Sequence, residues 1–76
     1  MTLADLKPGE FGQIQAINAK GPARRRLLDL GLVPNTKVQA VLKSPLGDPK
    51  AFLVRGAVLA FRLKDAREVL ITRCLP

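Results

Sequence analysis

The sequence predicts a small, mainly β domain: an SH3-like or OB-like antiparallel barrel of about five strands, with one inserted α-helix and short helical turns. Three observations lead there. Short runs of alternating polar and apolar residues recur between clusters of turn formers. A single stretch with helical spacing follows the first of these runs. With only 76 residues, closing the sheet removes the edges that five open strands would otherwise expose. Residues 1–76 form one domain, because a chain this short already buries only about 60% of the surface it exposes unfolded.

Thr2-Leu3-Ala4-Asp5-Leu6 sets a Thr three residues before an acid, a capping box for one helical turn that tucks Leu3 and Leu6 inward. Lys7-Pro8-Gly9-Glu10 reads as a turn. Phe11 to Ile17 is the first strand, with Gly12, Ile14 and Ala16 on one face and Phe11, Gln13, Gln15 and Ile17 on the other. Gly21-Pro22 then opens the helix, Ala23 to Leu30, in which Ala23, Leu27 and Leu30 recur at i, i+4 and i+7 before Gly31 supplies a left-handed C-cap. Leu32-Val33-Pro34-Asn35 is a proline-led turn, and Lys37 to Lys43 is the second strand, with Val38, Ala40 and Leu42 on one face. Ser44 to Pro49 is dense enough in turn formers to project as a loop. Ala51 to Val54 and Ala57 to Arg62 are the third and fourth strands, separated by Arg55-Gly56 at hairpin spacing, although arginine is a poor turn residue. Lys64 to Glu68 permits a helical turn, and Val69 to Arg73 is the fifth strand, with Val69 and Ile71 opposing Leu70 and Thr72.

The absences bound the chemistry. There is no His, which removes the usual general base and the Ser-His-Asp and Cys-His nucleophile systems. The single cysteine, Cys74, forms no internal disulfide and suits a reducing compartment. Asp5, Glu10, Asp29, Asp48, Asp65, Glu68 and Cys74 are scattered without ligand spacing, so no metal site, cofactor or active site is expected. No apolar run approaches the ~18 residues of a membrane span. Asp5, Pro8-Gly9 and Glu10 interrupt the start where a signal peptide is apolar, so a cytoplasmic location is expected.

Thirteen Lys and Arg against 6 Asp and Glu give a net charge of +7, which draws the chain to nucleic acid, anionic lipid or an acidic protein face. The surplus sits in two blocks, Phe11 to Leu28 and Pro49 to Lys64, neither of which contains an acid. At roughly 100° per residue the helix puts Arg25 and Asp29 outermost, Arg24 and Arg26 on the flanks, and Leu28 outside the buried stripe. Arginines in the first turns oppose the helix dipole at about 0.3 to 1 kcal/mol each. A run that offends local preference points to a contact surface, so Arg24, Arg25, Arg26 and Leu28 are the candidate partner-binding residues. The plainer alternative is a solvated face carrying an Arg25–Asp29 pair worth a few tenths of a kcal/mol. Base-stacking barrels need exposed aromatics, and this chain has only Phe11, Phe52 and Phe61, each in a strand pattern that reads as core. A nucleic-acid partner is therefore not expected, and neither is a polyproline ligand.

Taken in order, several segments together resemble the FeoA family, small cytoplasmic accessory proteins of bacterial ferrous iron transport. They are Leu3 through Gly9, Arg25-Arg26-Leu27-Leu28-Asp29-Leu30-Gly31-Leu32-Val33-Pro34, Ser44-Pro45-Leu46-Gly47-Asp48-Pro49, Val54-Arg55-Gly56 and Leu59-Ala60-Phe61-Arg62. Nearly the whole length takes part. The resemblance implies an SH3-like barrel with an inserted helix. It also implies a partner, the membrane ferrous iron permease whose cytoplasmic part carries a GTP-binding domain. The function it implies is that of an accessory protein that binds the cytoplasmic part of the permease, close to the anionic leaflet, and modulates its GTPase-linked activity. In one version an arginine acts as a finger on the transferring phosphate. A small basic barrel binding nucleic acid and a stand-alone metal-sensor domain are the competing readings. Asn35 stands where the family usually has Gly after Pro34, and Phe61 where Leu is usual. Asn tolerates positive φ, so the turn is expected to survive, and Phe61 enlarges a core position.

Overall fold

The computed structural model describes residues 1–43 and 45–76. A 3-10 turn at Leu3–Asp5 leads into β1 (Phe11–Ile17), α1 (Gly21–Asp29), β2 (Lys37–Lys43), β3 (Lys50–Val54), β4 (Ala57–Phe61), α2 (Leu63–Ala66) and β5 (Val69–Cys74). The strands form one antiparallel sheet in the order β4-β3-β2-β1-β5. The closure expected from the sequence is not made by hydrogen bonds: among the described residues β4 and β5 do not pair, so the curled sheet keeps two edges. β4 stops one residue earlier than the alternation suggests because Arg62 is already the extended N-cap of α2. Of the loop expected at Ser44 to Pro49, Ser44 lies outside the described residues, as do the side chains of Leu42 and Lys43.

Register shifts between Ile14 and Ala16 and between Ala40 and Leu42 bend β1 and β2, and the sheet curls around a single core. The first shift also corrects the simple alternation expected for β1. Gly12 and Ile14 are buried, but one extra residue reverses the faces beyond them, so Ala16 is exposed and Ile17 packs against the core. Leu3, Leu6, Ile14, Leu27, Leu32 and Phe52 sit at 0–1% exposure, and no polar or charged residue among those described is buried. Each large core side chain of this kind contributes about 1.5 to 3 kcal/mol by leaving water.

The N-terminal segment is held at three points. The Ile71 N–H donates to the Met1 carbonyl at 3.0 Å beside a Thr2–Leu70 bridge, which lays the chain start along β5. The expected capping box forms, with the Asp5 carboxylate accepting the Thr2 N–H at 2.8 Å, and the Thr2 hydroxyl also lies 3.4 Å from that carboxylate. Lys50 on β3 donates its ammonium to the carbonyls of Ala4 at 2.7 Å and Leu6 at 3.3 Å. These are carbonyls that so short a helical turn leaves without internal partners.

α1 ends as its sequence dictates. Gly31 takes φ +100°, its N–H donates to the Leu28 carbonyl at 3.0 Å, and the Leu32 N–H donates to the Leu27 carbonyl at 3.2 Å. This paired arrangement brings Leu32 down beside Leu27 in the core. Asn35 takes φ +73°, so the turn after Pro34 does survive without Gly. At the β3–β4 hairpin both Arg55 (φ +51°) and Gly56 (φ +86°) are left-handed, the geometry that two-residue hairpins require.

Candidate docking surface on the inserted helix

α1 starts at a left-handed Gly21 followed by Pro22 and has no acidic residue in its first turn. Its three arginines therefore crowd the positive end of the helix. The structure gives them different surroundings. Arg25 makes the outward pair with Asp29 at 3.2 Å, with side-chain exposures of 80% and 64%, as the plainer reading expects. Arg26 reaches across to Asp65 of α2 at 2.8 Å and ties the two helices together. Arg24 is exposed and, among the described residues, has no carboxylate within ion-pair distance.

The buried stripe expected on α1 is narrower than its spacing suggests. Only Leu27 enters the core; Leu28 is half-buried, Ala23 is exposed and Leu30 is 40% exposed. The cause lies in the helix end, because the turn at Gly31 sends Leu32 into the place the periodicity reserved for Leu30. Leu28 is therefore less open than expected, and Leu30 is the more available leucine.

Ala23 and Leu30 line an open groove of about 660 Å³ between α1, the end of β4 and α2, together with Pro22, Arg26, Ala60, Phe61, Arg62, Lys64 and Asp65. The lining thus combines small and large apolar side chains with the cations Arg26, Arg62 and Lys64. Nothing local in the sequence joins β4 to α1; the fold brings them together, and the α1 C-terminus also lies near the β3–β4 hairpin. A Cβ built at Gly31 would lie 3.4 Å from the Arg55 Cδ and 3.6 Å from the Val54 Cγ1.

Phe52 and Phe61 pack in the core with centroids 6.0 Å apart. Phe11 does not join them: it is half-buried, with the Lys37 ammonium 5.0 Å above its ring. The acids disperse into structural work. Asp48 accepts the Leu63 N–H at 3.0 Å and so caps α2 from the loop, and Glu10 pairs with Arg73 at 3.5 Å. Asp5 is held below its ordinary value of 3.8, chiefly by the hydrogen bond from the Thr2 backbone. Among the described residues no three His, Cys, Asp or Glu side chains converge, and no helix is long and apolar enough to cross a membrane. What the surface offers is cationic hydrogen-bond donors beside small apolar patches, a chemistry suited to recognition.

A family model described as the FeoA domain matches residues 1–73. A fusion of Fe(2+) transport protein A with the Fe(2+) transporter FeoB, from Porphyromonas gingivalis, is 28% identical over 69 residues, or 91% of this chain. The chain spans 8% of that relative's length. Among solved structures, the FeoA protein of Chlorobium tepidum is 33% identical with a TM-score of 0.91, covering 99% of this chain and 71% of that one. The FeoA of Stenotrophomonas maltophilia complexed with zinc is described as an SH3 domain protein and a candidate activating factor for ferrous iron transport. It is 29% identical with a TM-score of 0.84, covering 95% of this chain and 89% of that one.

Proposed function

The chain belongs to the FeoA family, and on that premise we propose that it serves ferrous iron transport as an accessory domain that docks on the cytoplasmic part of a FeoB-type permease. The observation that carries this reading is the Porphyromonas gingivalis relative, in which the same kind of domain is joined to the transporter in one polypeptide. Covalent fusion replaces encounter by a high effective concentration, which makes sense where the two parts act together. The role is one of binding: the absence of His in the sequence and the dispersed acids support an accessory domain over an enzyme. A cytoplasmic location follows from this reading, beside an anionic leaflet to which a +7 charge is attracted.

The docking surface in this reading is the outer face of α1, with Arg24 and Arg25 as exposed cations, Arg26 at its margin and Leu28 beside them. Modulation of the partner's GTPase would pass through the same contact. The test is copurification of the full chain with the permease's cytoplasmic GTP-binding part, comparing Arg24→Glu with Arg25→Glu and measuring GTP turnover at saturating protein. Loss of association in either variant, with an unchanged fold, supports the α1 face. Full association of both sinks that surface, and failure of the unaltered chain to associate sinks the function.

A further inference from the structure

We propose that the free edge of β4, with the groove beside it, takes up an extended acidic peptide segment as an added strand. The pairing across the hairpin fixes which backbone groups are available. Val54 and Ala57 close a two-residue turn and form the hydrogen-bonded pair, and the register continues as Leu53–Val58, Phe52–Leu59, Ala51–Ala60 and Lys50–Phe61. Ala57, Leu59 and Phe61 thus turn their N–H and C=O groups to β3, while Val58 and Ala60 turn theirs outward. Among the described residues, no turn, loop or cap hydrogen bond takes up those groups.

The two edges of the sheet are treated differently. β5 is covered by the chain start, through the Thr2–Leu70 bridge and the Ile71 to Met1 hydrogen bond, and it carries Arg73. β4 carries no guard in its own sequence or pairing. Its five residues, Ala57-Val58-Leu59-Ala60-Phe61, include no charge and no Pro, and its pairing with β3 runs without a bulge. Val58 is 63% exposed, and Ala60 is both exposed and part of the groove wall. An edge left bare is a template for strand addition.

Charge selects the occupant. Arg62 and Lys64 stand at the α2 end of β4 and Arg55 at the hairpin end, and none has a carboxylate partner among the described residues. Asp65, the acid nearest them on α2, is already held by Arg26. A second copy of this chain adding antiparallel would bring Arg55 of one close to Arg62 of the other, on two bodies of +7 each. An incoming strand with carboxylates at its ends and an apolar residue beside Val58 meets no such repulsion. Arg24 and Arg25 do not line this groove, so the inference does not depend on docking through the outer face of α1.

The test is a titration of the isotopically labelled full chain with a synthetic peptide about eight residues long that alternates Glu and Val. Three peptides are compared: this one, a Lys-Val version, and a Glu-Val version N-methylated along one edge. Binding of the first, with shifted and exchange-protected amides at Val58 and Ala60, is expected. The Lys-Val and N-methylated peptides are expected to bind at least roughly tenfold more weakly, the latter because they lose strand hydrogen bonds. Joint reversal at Arg62→Glu and Lys64→Glu is expected to weaken the Glu-Val peptide roughly two- to fivefold per charge. Unmoved β4 amides, equal binding of the N-methylated peptide, or self-association of the chain through β4 would each overturn the proposal.

Discussion

Arg55→Asn tests whether the hairpin tip is shaped for folding or for contact. Arg55 occupies φ +51° beside Gly56 at +86°, and a non-glycine residue in that region carries about 1 to 2 kcal/mol of steric cost. Asn relieves part of this while adding less unfolded-state freedom than Gly would. On the other side of the ledger, the Arg55 side chain lies over Gly31, where a built Cβ would meet its Cδ at 3.4 Å, yet the residue as a whole is exposed. So little packing is at stake that strain relief wins, by about 0.5 to 1 kcal/mol. For a domain of this size that raises the melting midpoint by roughly 2 to 8 °C, readable by thermal unfolding with urea titration as a check on the slope. Binding of the acidic Glu-Val peptide should move the opposite way, because one of the cations flanking β4 is gone. A variant less stable than its parent by more than about 1 kcal/mol would refute the reasoning, since Arg55 would then be a packing residue whose backbone strain is outweighed.

Asp5 is held below its ordinary 3.8 chiefly by the Thr2 N–H. Its contribution is therefore present above that value and lost as pH falls through the lower folded value, so Asp5→Ala should be less stable than the parent in urea at neutral pH and indistinguishable from it in strong acid. Ferrous iron titrated anaerobically into the chain should give no stoichiometric binding at micromolar or tighter affinity by calorimetry, because no three ligating side chains converge among the described residues. Tight binding abolished by Asp48→Ala or Asp65→Ala would overturn that expectation.

Most of the architecture was legible because strands announce themselves through a period of two. The limits of β1 and β2 match the alternation residue for residue, and the Asn35 turn and Gly31 cap follow from backbone rules that act within a few positions. What was not legible depends on partners far away in sequence. The bulge that exposes Ala16 and sends Ile17 to the core is set by pairing with β5, not by anything local. Lys50 reads as one more surface cation until the fold brings it to carbonyls 46 and 44 positions away. The helix period identified a stripe of Ala23, Leu27 and Leu30, but periodicity says which residues share a face and not what covers it. Here the core covers only the Leu27 part, and the remainder faces the groove.

That division of α1 bears on how so basic a chain distributes its cations. Folding uses Lys50 on carbonyls, Arg26 on Asp65 and Arg73 on Glu10, which binds three cations into the structure at its margins and leaves no charge buried among the described residues. Arg24, Arg55, Arg62 and Lys64 do nothing comparable for the fold among the described residues, and they frame the two surfaces that lack a partner, the outer face of α1 and the edge of β4. Charges spent on stability would be expected to sit beside the acids of the same chain, as Arg26 does with Asp65. Cations held apart from them keep their attraction for carboxylates brought by another molecule, and at long range they speed and orient its arrival. A partner engaging either surface is therefore expected to be acidic where it touches, and its association rate to fall with added salt more steeply than its dissociation rate rises.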